Sequence, residues 1–374
     1  MYADDELVGN LFLTDGRGDG QWRHLMAANP AASFVLDSLD KLADLQAFMK
    51  AHAGSLIAGY FSYDLGLELL GVNSRHASPY PLAVLHAYNK WGEGRSDKPE
   101  LQSSLNPLHF ETAITKGQYA KAIDSIHRYI RAGDFYQINF TQQLRAQTSQ
   151  DPIELFAHLS RRHPASHACY FEWEDLSIHS LSPELFLHYS NGVLTTEPIK
   201  GTRQRGDSQE SDGTQLEALL ASEKEQAELY MITDLLRNDL GKVCEIGSIN
   251  LEETKGIQQL PRVWHTYSRI SGKLRSDLTP LEALLSMLPG GSISGCPKKR
   301  AVEVIDELEV SSRGIYTGCL GYFHPEGDFS FNIAIRTLVQ VDDQLSLGTG
   351  GGITIDSNWE DEWSELLLKA STFT

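Results

Sequence analysis

The sequence predicts an α+β protein built on large, mainly antiparallel sheets. Three observations carry that prediction. Runs of strand length come in groups, at 168–173, 176–181 and 185–190, and again at 315–323, 329–341 and 344–349. Helical patterns lie between and after them, at 214–238, 280–288, 298–308 and 359–371, so the elements are clustered and follow no strict βαβ alternation. The 374 residues are 41% hydrophobic and 22% charged, an ordinary globular composition with material for a large core.

Along the chain, Gly59-Tyr-Phe-Ser-Tyr-Asp-Leu-Gly66 reads as an aromatic strand closed by turn residues. Residues 92–107 are polar and rich in turn formers, a linker that divides a first segment, 1–105, from a longer one, 106–374. A helix follows at 117–132. Tyr119, Ala122, Ile123, Ile126, Tyr129 and Ile130 share one face, and Gly133 stands where a terminating glycine belongs. The alternation from Tyr136 to Gln142 reads as a half-buried strand. No internal repeat or low-complexity tract is visible.

Charge and cysteines narrow the function classes. With 32 Lys and Arg against 50 Asp and Glu, the net charge of -18 argues against nucleic acid and anionic membranes as partners. A small anionic substrate needs only a few local cations, so it stays open. Cys169, Cys244, Cys296 and Cys319 are scattered, as in a reduced cytoplasmic protein. The acidic start is unlike a signal peptide, and no apolar run approaches the ~20 residues of a membrane helix.

Four constellations carry chemistry. Glu225 and Glu228, and again Glu362 and Glu365, are three apart on predicted helices and share a face. Such pairs are everyday solvated surface, but two of them brought together would suit Mg²⁺. The run Gly348-Thr-Gly-Gly-Gly352, read as a loop, exposes backbone N–H groups to an anion or is a plain flexible turn. Pro289-Gly-Gly-Ser-Ile-Ser-Gly295 is a second such loop, before a helix N-terminus. Lys200, between Pro198-Ile and Gly201-Thr, is an exposed loop lysine or a nucleophile, and the second reading needs its amine unprotonated. Neighbouring Arg203 and Arg205, or burial, would promote that. Glu184, after Ser182-Pro, suits a general acid if partly buried.

Taken in order, Ser182-Pro-Glu-Leu-Phe, Pro198-Ile-Lys-Gly-Thr-Arg, Glu228 through Gly241, Pro289 through Lys298 and Gly350 through Lys369 resemble the chorismate-utilising enzyme family. The resemblance runs from about Tyr136 onward. It implies one intertwined fold with two large sheets around a central cleft, of which segment 1–105 is part. It further implies that Glu228 and Glu365 bind Mg²⁺ directly, with Glu225 and Glu362 close by. Tyr316, Arg336 and Lys369 would hold the carboxylates of chorismate, with the amides of Gly350, Gly351 and Gly352. Gly291 and Ser292 would face the ring carboxylate, and Thr202 counts with the substrate-binding set.

Within the family, three positions point to the aminodeoxychorismate synthase branch over anthranilate synthases and isochorismate or salicylate synthases. These are Lys200 where anthranilate synthases carry alanine, Glu282 where they carry a histidine, and Gln137 where the water-adding members carry a lysine base. The implied reaction is amination at C4, with Glu184 as acid and Lys200 as nucleophile. Ammonia would come from a glutamine amidotransferase subunit, since nothing here resembles that subunit's Cys-His-Glu segment. No fused lyase domain is expected after the last helix. The tryptophan feedback element of anthranilate synthases is not recognisable before residue 50.

Overall fold

The computed structural model describes residues 10–16, 22–94, 107–260 and 263–373. Among the described residues, two sheets of ten strands each carry the fold, and every strand pair is antiparallel. With strands numbered in chain order, the first sheet runs β16 (Gly295–Cys296), β8 (Gln137–Gln147), β20 (Gln344–Ile353), β19 (Thr337–Val341), β10 (Leu176–Ser182), β9 (His167–Trp173), β1 (Leu11–Gly16), β2 (Trp22–Ala27) and β6 (Trp91–Gly94). The two-residue β7 (Glu111–Thr112) also pairs with β8. The second sheet runs β13 (Ile199–Gln204), β15 (Val263–Lys273), β12 (Val193–Glu197), β11 (Leu185–Ser190), β18 (Phe329–Ile333), β17 (Cys319–Phe323), β4 (Leu56–Phe61), β5 (Ala83–Tyr88) and β3 (Ala32–Leu36). There β14 (Asn250–Gln259) joins β15.

The helices are α1 (Leu42–Ala51), α2 (Tyr63–Leu69), α3 (Lys116–Ala132), α4 (Pro152–Arg162), α5 (Gln209–Ala221), α6 (Glu223–Leu240), α7 (Pro280–Met287), α8 (Lys298–Leu308) and α9 (Trp359–Ala370). The expected amphipathic helix is α3. A Thr115–Gln118 capping box starts it, and Gly133, at φ +86°, ends it. None of the helices is long and apolar enough to cross a membrane, among the described residues. Two clusters form the core. The larger packs the helices against both sheets, and the smaller joins β1, β2 and β9 of one sheet to β4, β5 and β17 of the other. Each fully buried aromatic, such as Tyr60, Phe171 or Phe331, contributes about 1.5–3 kcal/mol through burial.

Several expectations change. The strand expected over 329–341 is two strands in different sheets, β18 and β19, because the chain crosses over at Arg336 with φ +48°. The segment 315–318 forms turns before β17, with Thr317 at φ +61°. The helix expected over 214–238 is broken between α5 and α6, where the Ser222 side chain accepts the Glu225 N–H and begins a new helix. In Gly59–Gly66 only the first half is strand. Ser62 caps α2, whose Gly66 lies so close to the Pro289 loop that a Cβ would stand 2.6 Å from the Pro289 nitrogen. The glycine run 348–352 is part of strand β20, where Gly350, Gly351 and Gly352 pair in register with Thr141, Phe140 and Asn139 of β8. Of the predicted linker, 92–94 lie in β6 and 95–106 fall outside the described residues, as does the acidic start.

Candidate active site

Lys200 lies in strand β13, not in a loop, and the strand is bulged there. The register to β15 slips between Lys200 and Thr202, and Gly201 takes φ +79°. A bulge re-aims the side chain beside it, and glycine reaches that φ without strain. A Cβ on Gly201 would meet Thr266 Oγ1, Leu219 and the Glu225 carboxyl carbon, at 2.9, 3.0 and 3.4 Å. The Thr266 hydroxyl donates to the Lys200 carbonyl and pins the bulge. Arg203 pairs with Glu225 at 3.1 Å, and Arg205 pairs with Asp212 and stacks on Trp264.

Glu184 leaves β10 after Pro183 and is buried at 6% exposure. Its N–H donates to Ser182 Oγ, and its carbonyl accepts the Ile333 N–H. Burial raises its carboxyl above the usual carboxylate range, while a hydrogen bond with Ser292 and the charge of Lys200 work the other way. Glu184 and Ser292, from two predicted segments, therefore meet, and the charge of Lys200, from a third, is felt there.

The glutamate pairs come from α6 and α9. Glu225 is raised by burial, against which Arg203 works, and the Glu228 carboxylate adds to the rise. Glu362 is likewise raised by burial, its Oε1 accepting the Ser357 hydroxyl at 2.8 Å, with Glu365 adding repulsion. Burial also disfavours ionisation of Glu365, but Lys369 at 2.9 Å outweighs it and holds that carboxyl low. The charge of Lys224 in α6 works against the rise of Glu362 and adds to the lowering of Glu365. Among the described residues no three carboxylates close on one point. The set is all oxygen, and the like charges repel. Both features fit Mg²⁺, which takes one or two protein carboxylates and completes its shell with water and substrate oxygens.

Arg336, at its positive-φ crossover, is only partly exposed, and burial pulls its guanidinium below the usual range. It makes no ion pair among the described residues. Lys369 donates to the Gly350 carbonyl at 2.7 Å. Because Thr141 N–H bonds Glu309 and Asn139 N–H bonds the Ser294 carbonyl, Gly350 and Gly352 occupy the non-hydrogen-bonded register positions opposite them. Their amides therefore turn away from β8, whereas Gly351 takes the laddered position. A Cβ on Gly351 would stand 3.2 Å from Glu362 Oε2, and one on Gly352 would stand 2.1 Å from Gln137 Nε2, so the Gln137 amide would have to move aside for a side chain at 352. Gln137 is buried, its Oε1 without a partner. Gly291 backs onto α6 at Leu235 and Asp239. Tyr316 lies against Gly348, near Arg313 and Glu309, and joins the site through the glycine strand.

His265 was missed from the sequence. Its Nδ1 lies 2.8 Å from Thr202 Oγ1, and burial, with the Arg336 charge, lowers it to about 4, so the ring is neutral near pH 7. Its strand, Val263–Lys273, also buries Thr266, Ser268 and Ser271, so the sequence pattern did not set His265 apart. Glu282 forms the α7 capping box with Thr279.

A family model of chorismate binding enzymes matches residues 81–374. The aminodeoxychorismate synthase of Arabidopsis thaliana is 41% identical over 275 residues, 72% of this chain and 30% of the relative. An anthranilate synthase component 1 of Haloarcula marismortui is 39% identical over 260 residues, 70% of this chain and 53% of the relative. The aminodeoxychorismate synthase component 1 of Bacillus subtilis is 36% identical over 276 residues, 74% and 58%. The chain thus spans about a third to somewhat over half the length of these relatives. The solved anthranilate synthase component I of Streptococcus pneumoniae has the same fold, with a TM-score of 0.83 at 24% identity over 100% of this chain and 94% of that one. The chain belongs to the chorismate binding enzyme family.

Proposed function

We propose that this chain aminates chorismate at C4, forming 4-amino-4-deoxychorismate, with ammonia delivered by a glutamine amidotransferase subunit in the cytoplasm. The observation that carries the reading is the buried acid Glu184, whose carboxyl burial raises and which feels the charge of Lys200 on its bulged strand. Glu184 gives its proton to the departing C4 hydroxyl, which leaves as water. The Lys200 amine bonds to C2 as the ring double bonds shift. Ammonia then bonds at C4, the C2–N bond breaks, and the double bonds return. Arg336, Lys369 and the Gly350 and Gly352 amides hold the two carboxylates. Glu228 and Glu365, with Glu225 and Glu362 near, would hold Mg²⁺, which supplies neutralising charge for a dianionic substrate. Gln137 cannot serve as a base for water, which disfavours isochorismate formation.

A second reading, anthranilate formation, is kept because anthranilate synthases are nearly as similar as aminodeoxychorismate synthases, at 39% against 41% identity. Mass spectrometry of the product from chorismate, ammonium and Mg²⁺ separates the two. Retained enolpyruvyl supports C4 amination, and pyruvate release supports anthranilate. Lys200→Ala should lose most turnover yet still bind chorismate; undiminished turnover with ammonium would rule out the nucleophile.

A further inference from the structure

Strand β8 has a gap along its outer edge. At one end β16 pairs with Gln137 and Ile138, and at the other β7 pairs with Leu144 and Arg145. Between them, among the described residues, no strand covers Asn139 to Thr141; the Ser294 carbonyl meets the Asn139 N–H at 2.7 Å and leaves the Asn139 carbonyl and the Thr141 N–H. Edge N–H and C=O groups left unpaired in a buried place cost stability, so something must meet them. We propose that the Glu309–Arg313 ion pair is a positioning device that stands in for the missing strand and thereby sets three walls of the site.

The contacts follow the ladder. Glu309 Oε1 accepts the Thr141 N–H at 2.8 Å and the Thr141 hydroxyl at 2.9 Å. Arg313 donates to the Asn139 carbonyl at 2.6 Å. The pair is closed on itself by two further bonds, 2.7 Å to Oε1 and 2.9 Å to Oε2. Side chains thus supply the acceptor and donor that a strand backbone would. The same guanidinium donates to the Ile293 carbonyl at 2.8 Å and reaches Thr317 Oγ1 at 3.4 Å, while its face lies 4.6 Å from the Tyr63 ring. Ile293 adjoins Ser292, the partner of Glu184. Thr317 adjoins Tyr316. Asn139 and Thr141 lie opposite Gly352 and Gly350. One ion pair, 3% and 7% exposed at Arg313 and Glu309, therefore ties the acid's loop, the tyrosine turn and the glycine strand together.

The geometry also explains why the residues are these. A lysine has no planar fork to bond Asn139, Ile293 and Glu309 at once. A neutral acceptor at 309 could still take the Thr141 N–H.

The test is Arg313→Lys in the full chain, with two readouts. Hydrogen–deuterium exchange should quicken in peptides covering 137–147 and 289–296 and stay unchanged in the β9–β10 hairpin. Turnover of chorismate should fall about 100-fold in kcat/KM, the scale of a misplacement near 1 Å. Glu309→Gln should lie closer to wild type than Glu309→Ala in both readouts. Unchanged exchange in both segments, or exchange quickened evenly over all strands, overturns the proposal. If Arg313→Ala fails to fold, Arg313→Lys still decides. The turnover arm rests on the chorismate reading, whereas the exchange arm does not. Local loosening together with a wild type inert toward chorismate would fault that reading alone.

Discussion

At Glu184 burial and chemistry pull in one direction. A carboxyl raised by desolvation stays protonated at a pH where a surface glutamate is ionised, and only the protonated form can give a proton to a leaving hydroxyl. Activity that depends on it should hold below its raised pKa and fall as pH rises through it. Glu184→Gln keeps the shape but has no acidic proton, so kcat should drop about 10²–10⁴-fold and the alkaline fall assigned to Glu184 should vanish. A pH profile of kcat/KM for both proteins checks this; an unchanged alkaline limb in the variant would remove Glu184 from the acid's role. Lys200 was legible as a motif, but its bulge was not, since a register slip depends on the partner strand. His265 was invisible for a related reason. Its role comes from Thr202 and Arg336, brought to it from β13 and from the crossover at 336.

Elements were legible where period and punctuation agree. The start signals of α3, α7 and α9 are Thr115, Thr279 and Asn358, and the apolar spacing behind each continues without conflict. The reading failed where a backbone event has no composition signature. Ser222 ends one helix and caps the next inside a stretch of good helix formers. Arg336 takes a positive φ that its side chain disfavours, so one apparent strand became two. Helix α2, hidden in an aromatic run, carries a prediction of its own. Burial raises Asp64, in its first turn, to about 6, with Ser78, Gly314 and the Arg313 charge working the other way. The unfolded chain ionises this group near 3.8, so stability present below that pH is lost as pH rises from about 4 through 6. Asp64→Asn does not titrate. Its advantage in stability should grow over that window and level off above it, at on the order of 3 kcal/mol, from ~1.4 kcal/mol per pKa unit. Thermal melts at pH 4, 6 and 8 measure it; a constant gap would mean that Asp64 ionises freely.

Across the whole molecule, what the sequence marked as two segments is woven together. β1 hydrogen-bonds to β9 and β4 to β17, so strands from before residue 95 extend both sheets. The smaller core cluster takes Leu13, Ala58, Tyr60 and Val84 from the first segment, and Phe171, Ile178, Leu320 and Val339 from the second. Removing the first segment would bare two sheet edges and the inner faces of four strands. It would also strip α2 from the Pro289 loop, where Gly66 makes its close approach, and Tyr63 from the face of Arg313. Composition could not reveal this, because a polar stretch such as 92–107 looks alike whether it links two domains or spans one. The prediction is that a chain of residues 107–374 alone does not reach a cooperative native state, even though it holds every site residue named here. It should bind a hydrophobic dye, lack near-ultraviolet dichroism and melt without a sharp transition, and separate supply of residues 1–106 should restore both order and chorismate binding. A sharp melt for 107–374 alone would instead make the first segment an appendage, and the site would then stand on the second segment's own core.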